Sequence, residues 1–323
     1  MSVVFDMGTI AQTAAPQTYR NVREALRGAT AFLDRAGMQD AATDARRLVA
    51  HALGISREAL LREPNLEPGE AALTRLAAML DRRAAHEPVA RIIGTRDFYG
   101  LSLSLGPETL DPRPDTETVV NIARHLAERS QRDLDAPLRV LDLGTGTGAI
   151  ALALLSVLPN ADAVASDISA PALDVARSNA EFHGLDSRIR FVESQWLEHV
   201  DGRFDLIVAN PPYIPTAEIA GLAPEVSQWD PRPALDGGHD GLDAYRAILR
   251  NISASMAPGG WAVFEAGAGQ AGDVSELARR HGLPTAPSSW PLLRDLGGTV
   301  RCVVAATPGW DVKKTLGIED RSV

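Results

Sequence analysis

From Leu138 onward, short apolar runs alternate with helical stretches, and this alternation constrains the fold more than any other feature of the chain. Arg139–Leu143, Ala161–Ser166, Ile189–Val192, Leu206–Ala209, Trp261–Glu265 and Val300–Ala305 read as strands. Val119–Leu126, Ile150–Leu158, Ala170–His183, Asp243–Met256 and Gln270–His281 read as helices. Parallel strands need crossover connections, so strands separated by helices predict an α/β domain built on a doubly wound parallel sheet.

The pattern before this region is purely helical. Val22, Leu26, Ala29 and Leu33 recur at helical spacing, with Gly37 as the stop. A second helix from about Asp40 places Ala45, Leu48, Val49 and Ala52 on one face and ends at Gly54. Ser56 is positioned to cap a short third helix, and Pro68-Gly69 opens a longer one carrying Leu73, Leu76, Ala77 and Leu80. Phe98 to Leu105 then alternates apolar and small polar residues, as a β-hairpin does. The expected division is a loose leader over 1–17, a small all-helical domain over 18–88, a hairpin connector over 89–111, the α/β domain over 112–307 and a tail over 308–323. Asp115 is the expected cap of a helix beginning near Thr116.

Composition narrows the function classes. Lys and Arg number 32 against 42 Asp and Glu, a net charge of −10, the wrong sign for a chain that grips many phosphates. The single cysteine, Cys302, excludes an internal disulfide and any cysteine zinc cluster, and its apolar neighbours predict a buried, inert thiol. The seven histidines lack metal-ligand spacing, so no metal is expected. With no basic leader and no apolar run of membrane-spanning length, a cytoplasmic location is expected, with no membrane partner.

Val140-Leu141-Asp142-Leu143-Gly144-Thr145-Gly146-Thr147-Gly148 joins the first strand of the sheet to its helix. Glycines there let the backbone turn tightly and approach a ligand at a helix N-terminus. The spacing is G-x-G-x-G with an acid two residues upstream, tighter than the dinucleotide G-x-G-x-x-G. It resembles the first motif of class I methyltransferases, although a nicotinamide or flavin loop and a structural turn stay open on this motif alone. Asp167, at the end of the second strand, can accept both ribose hydroxyls of an adenosine ligand; the alternative is a cap for the helix beginning near Ser169.

The fourth strand runs into Asn210-Pro211-Pro212-Tyr213, which should lie at the ligand-binding edge of such a sheet. Each proline fixes its own φ and restricts the residue before it, so Asn210, Pro211 and Pro212 are pinned. An amide nitrogen attacking a sulfonium methyl gains positive charge as its lone pair leaves conjugation. The Asn210 side-chain oxygen and the Pro211 carbonyl can accept its two N–H bonds and stabilise that charge as it develops. Tyr213 offers a flat face for a planar group. A loop of Asn-Pro and Pro-Pro punctuation is the plain alternative.

The sequence as a whole resembles the HemK/PrmC protein-(glutamine-N5) methyltransferases from about Tyr19 to Ala306. Besides the glycine loop and Asn210–Ile214, the resemblance rests on Glu87–Gly94 with Phe98-Tyr99-Gly100, on Pro112-Arg113-Pro114-Asp115-Thr116-Glu117, and on Arg232–Gly238. It implies a Rossmann-like class I methyltransferase sheet and S-adenosylmethionine as cofactor, with S-adenosylhomocysteine as product. The implied acceptor is the glutamine of the Gly-Gly-Gln motif in class 1 peptide chain release factors. It further implies that Gly144, Thr145, Gly146, Thr147, Gly148, Asp167, Trp196 and Asn210 contact the cofactor, and that Asn210, Pro211, Pro212 and Tyr213 hold the glutamine. One departure is Gln195 before Trp196, where the family usually has an acid. A glutamine of a ribosomal protein, an adenine N6 in nucleic acid, and a non-catalytic cofactor sensor are the rival readings.

Overall fold

The computed structural model describes residues 18–129, 137–295 and 297–316, in two compact units divided between Ile93 and Gly94. The leader expected over 1–17 lies outside the described residues.

The first unit is all-helical: α1 (Val22–Arg35), α2 (Ala41–Leu53), α3 (Arg57–Arg62), α4 (Glu70–Ala84) and α5 (Val89–Ile93). Asn21 caps α1, accepting from the Glu24 N–H at 2.9 Å, and Ser56 caps α3 as expected, accepting from Ala59. Gly54 ends α2 in the left-handed conformation that favours glycine. The helices bury Val22, Leu33, Leu48, Val49, Leu76 and Leu80 in one core. A charged pair crosses that core: Arg83 on α4 donates to Asp44 on α2 at 2.7 Å, with both side chains about nine-tenths buried. The helical region runs past its expected edge at Pro88, because Pro88 accepts the first amides of one more turn, α5, whose Val89 and Ile92 are buried.

The second unit opens with an antiparallel hairpin, β1 (Thr95–Phe98) and β2 (Leu101–Ser104), shorter than the connector expected over 89–111. A 3-10 turn (Pro114–Thr116) leads into α6 (Glu117–Arg129). Asp115 lies inside that turn and caps nothing; its carboxylate pairs with Arg301 at 3.1 Å.

The sheet is then built from β3 (Leu138–Leu143), β4 (Ala161–Asp167), β5 (Ile189–Glu193), β6 (Phe204–Ala209), β7 (Met256–Glu265) and β8 (Cys302–Ala306). The helices α7 (Ala149–Val157), α8 (Ala170–Phe182), α9 (Pro224–Ser227), α10 (Asp243–Ser255) and α11 (Ala271–Arg280) intervene, and α12 (Val312–Leu316) follows. Strand order is β5-β4-β3-β6-β7-β8, with apolar layers on both faces of the sheet. β3 to β7 run parallel, whereas β8 is antiparallel to β7, a departure from the wholly parallel sheet expected. The cause lies in the connection: Arg294 and Val300 bridge antiparallel just before β8, so the chain reverses before it enters the sheet. The stretch expected as a tail from 308 includes α12, held by burial of Val312 and Leu316 in the larger core. No helix among the described residues is long and apolar enough to cross a membrane.

The Arg83–Asp44 pair yields a stability prediction. Arg83→Met should cost the helical unit about 3–5 kcal/mol by leaving a buried carboxylate alone, and Asp44→Leu/Arg83→Met should recover most of it. Amide hydrogen exchange in α2 and α4 reads both changes; equal loss in the single and double variants would contradict the electrostatic account.

Candidate functional site

Strand register brings the motifs together. Leu143, the last residue of β3, pairs with Ser166 of β4 on one side and Ala209 of β6 on the other. The glycine loop, Asp167 and Asn210 therefore leave the sheet side by side at its carboxyl edge. Asp167 pairs with Glu193 at the end of β5, which puts Trp196 at the same edge. The glycine loop, Asp167, Trp196 and Asn210–Tyr213 thus stand at or just beyond the carboxyl ends of the strands, where open α/β sheets bind ligands.

The glycine loop is held from beneath. Gly144 and Thr145 donate their N–H groups to the Ser166 carbonyl at 2.8 and 2.9 Å. Asp142 is fully buried; its Oδ2 accepts from the Thr145 hydroxyl at 2.7 Å and from the Ala151 amide at 3.2 Å. Its Oδ1 has no partner, and burial pushes the carboxyl up to about 6. Asn179 of α8, almost wholly buried, donates to the Thr147 carbonyl at 2.9 Å and to the Ser104 carbonyl at 3.1 Å, tying loop and hairpin together. Gly144 adopts φ 72°, and a Cβ there would stand 3.4 Å from the Trp196 indole, so the ring closes over the loop.

Asp167 braces both the glycine loop and the start of α8. Ser169 caps α8 itself by accepting from Ala172, while the Asp167 carboxylate accepts from the Ser169 and Gly146 amides, each at 2.9 Å. Burial raises its pKa. The Ile168 amide also faces it, and since a carboxylate offers about four lone-pair positions, capacity for a ligand is left. Trp196 has φ 54°, a conformation costing a bulky residue on the order of 1–3 kcal/mol unless its surroundings hold it. Buried Ser194 does so, donating to the Trp196 carbonyl at 3.1 Å and accepting from the His199 amide at 3.0 Å. The indole also packs against the core, so a packing role is present beside its place over Gly144. Gln195 is exposed.

The Asn-Pro-Pro-Tyr segment is braced on three sides. Asn210 donates from Nδ2 to the Thr116 hydroxyl at 3.2 Å. Gln270 donates to the Tyr213 carbonyl at 2.9 Å and accepts from the Gly267 amide at 3.1 Å. Ile214 exchanges backbone bonds with Leu235 and Gly237 of the Ala-Leu-Asp-Gly-Gly stretch. Gly241 packs so tightly here that a Cβ would fall 2.3 Å from the Tyr213 carbonyl oxygen. Arg113 pairs with buried Asp230 at 2.5 Å, which joins the Pro-Arg-Pro-Asp-Thr-Glu segment to the same loop.

Sequence reasoning passed over one neighbour. Glu265 ends β7 next to the strand that carries Asn210, and it is 2% exposed. Tyr213 donates to its Oε1 at 3.3 Å, its Oε2 has no hydrogen-bond partner, and burial pushes it up to about 7. Burial and the neighbouring Glu265 raise the Tyr213 pKa, so the phenol stays protonated. The available signal was an acid closing an otherwise apolar strand. Among the described residues no cluster of His, Cys, Asp or Glu is placed to hold a metal.

Comparison with known proteins shows the family. Residues 24–94 match the PrmC N-terminal domain family, and residues 122–222 match the methyltransferase small domain family. The chain is 46% identical over 290 residues to the release factor glutamine methyltransferase of Bradyrhizobium diazoefficiens, covering 90% of this chain and 96% of that protein. It is 45% identical over 272 residues to the release factor glutamine methyltransferase of Rhodospirillum rubrum, covering 84% and 80%. Among solved structures, the hMettl16 catalytic domain in complex with MAT2A 3′UTR hairpin 6 superposes with a TM-score of 0.51 at 16% identity, covering 75% of this chain and 82% of that one. That likeness shows the fold, a class I methyltransferase sheet. At this identity over most of both chains, the chain belongs to the release factor glutamine methyltransferase family.

Proposed function

We propose that the chain transfers the methyl group of S-adenosylmethionine to the side-chain amide nitrogen of the glutamine in the Gly-Gly-Gln motif of class 1 peptide chain release factors. The relatives' names supply the substrate class. The observation that carries the chemistry is the orientation of Asn210. With Nδ2 turned to Thr116, its Oδ1 is the end left for a substrate, beside the Pro211 carbonyl. Two acceptors aimed at one planar amide suit a nitrogen that gains positive charge on attack, and they need no reorganisation as it develops. Tyr213, neutral and held by Glu265, flanks the amide plane.

The carboxyl edge of the sheet fits the implied methyl donor. When bound, S-adenosylmethionine supplies an electrophilic methyl on a sulfonium. The backbone of Gly144 to Gly148 would approach it closely, the spare lone pairs of Asp167 would accept its ribose hydroxyls, and Trp196 and Asn210 would complete the contact. The helical unit is assigned to the release factor body: its helices bury one face in their own core, and Leu61 and Leu66 stand exposed. The small Gly-Gly-Gln loop alone offers too little area for a stable protein complex.

Radiolabelled S-adenosylmethionine incubated separately with release factor, ribosomes and DNA tests the acceptor, with label expected in release factor alone. Asn210→Ala should lower turnover by about a hundredfold or more while leaving donor binding largely intact, on the scale of one lost transition-state hydrogen bond. Near-wild-type methylation by that variant would sink the acceptor-site chemistry. Asp167→Ala should weaken S-adenosylmethionine by roughly tenfold, with turnover at saturating donor much less affected; calorimetry checks the first and kinetics the second.

Buried Asp142 sets a pH dependence of stability. Its folded pKa, about 6, lies above its unfolded value. Its contribution is therefore complete in acid, below the unfolded pKa, and lost as pH rises through about 6. Wild type should gain stability relative to Asp142→Asn as pH falls through that value, measured by urea unfolding at each pH. A difference independent of pH would place the proton elsewhere.

A further inference from the structure

The Asn210 amide can present either end to the site, and nothing within the Asn-Pro-Pro-Tyr segment decides which. The end turned away from the site meets Thr116, whose hydroxyl can both give and take a hydrogen bond. If Thr116 donated to Asn210, the amide would turn its oxygen inward and its NH2 outward. It would then oppose a substrate N–H with another N–H. The choice rests on where the Thr116 proton goes.

The surroundings of Thr116 answer that. Thr116 is 3% exposed, and it stands beside the Glu265 carboxyl, whose charged form it favours. Of the two oxygens of Glu265, Oε1 takes the Tyr213 hydroxyl, while Oε2 is buried without a partner. A buried carboxylate oxygen left without a donor costs about 1–3 kcal/mol or more. The Thr116 hydroxyl is the donor at hand. Once its proton is given to Glu265, whose ionised form can only accept, Thr116 can only accept from Asn210, and the amide must offer Nδ2. The backbone holds both groups in place: Tyr245 donates to the Glu265 carbonyl at 2.7 Å, and the Thr116 amide bonds to the Arg113 carbonyl at 3.1 Å.

We propose that Glu265, acting through Thr116, is a positioning residue that fixes the Asn210 side chain with its oxygen toward the substrate amide. This rests on the function proposed above, and it adds two residues from outside the Asn-Pro-Pro-Tyr segment to the machinery of that site. Neither touches the reacting atoms. Their effect is on turnover, through one hydrogen bond whose polarity they set, and they leave donor binding to the glycine loop and Asp167.

The test compares Thr116→Val, which keeps the shape and removes the hydroxyl, with Thr116→Ser, which restores it, and with Glu265→Gln. Thr116→Val and Glu265→Gln should each lower kcat by roughly tenfold or more, the scale of a lost oriented hydrogen bond. Calorimetric affinity for S-adenosylmethionine and melting temperature should stay close to wild type, and Thr116→Ser should recover most of the turnover. A second readout is independent of activity: the side-chain NH2 resonances of Asn210, identified by their loss in Asn210→Ala. They should shift in Thr116→Val and Glu265→Gln and remain near wild type in Thr116→Ser. The proposal is overturned if Thr116→Ser is as impaired as Thr116→Val, or if the Asn210 resonances ignore Glu265→Gln. A wild-type enzyme that labels no release factor would defeat the proposed function, and the resonances would still decide the positioning role.

Discussion

The pairing of β3 with β6 at the centre of the sheet is the constraint on which the site depends. A parallel strand cannot return by a tight turn, so the chain leaves β3 outward through β4 and β5 and then crosses back to lay β6 on the other flank. Two loops must therefore diverge from neighbouring strands at the same edge. One is the glycine loop and the other is Asn-Pro-Pro-Tyr, and their register, Leu143 against Ala209, sets them side by side. Residues far apart in the chain become neighbours because hydrogen bonds between flat strands permit few other arrangements.

Along that edge the protein places carboxyls where water is scarce. Asp142 and Glu265 are buried at the ends of strands, and Asp167 is largely so. Burial raises all three, yet each also holds its surroundings together. Asp142 joins the Thr145 hydroxyl of the loop to the Ala151 amide of α7, Asp167 ties Gly146 to Ser169, and Glu265 receives Tyr213. Such groups are costly to bury and strong as acceptors once there, because a low local dielectric magnifies both effects. Their cost is offset by the apolar layers of the sheet, which tolerate a few polar ends at the edge where a ligand would sit.

The loops next to Asn210 are held by side chains as well as by the backbone bridge between Ile214 and Asp236. Arg113 reaches Asp230, Arg301 reaches both Asp115 and Asp295, and Gln270 grips the Tyr213 carbonyl. Prolines reduce the entropy these contacts must overcome, since Pro211 and Pro212 enter the fold with φ already set. A rigid segment aimed by several anchors suits an amide that must be met by two acceptors at once.

Much of this was legible in the linear chain. Alternation of apolar runs and helices located the strands and longer helices of the α/β sheet, though not α9 or α12, because period and apolar content are local properties. The glycine spacing, Asp167 and Asn-Pro-Pro-Tyr marked the segments that meet at one edge of the sheet, since backbone freedom at glycine and backbone restriction at proline travel with the residue itself. Only tertiary structure decided the direction of β8, which depends on a reversal at Arg294 and Val300, and the status of α12, which depends on burial of Val312 and Leu316. It also decided the partners of Asp115, Thr116 and Glu265. A carboxylate on one strand, a threonine from an earlier turn and an asparagine on the next strand share no pattern in sequence. Their association is a consequence of sheet register, which exists only once the strands have paired.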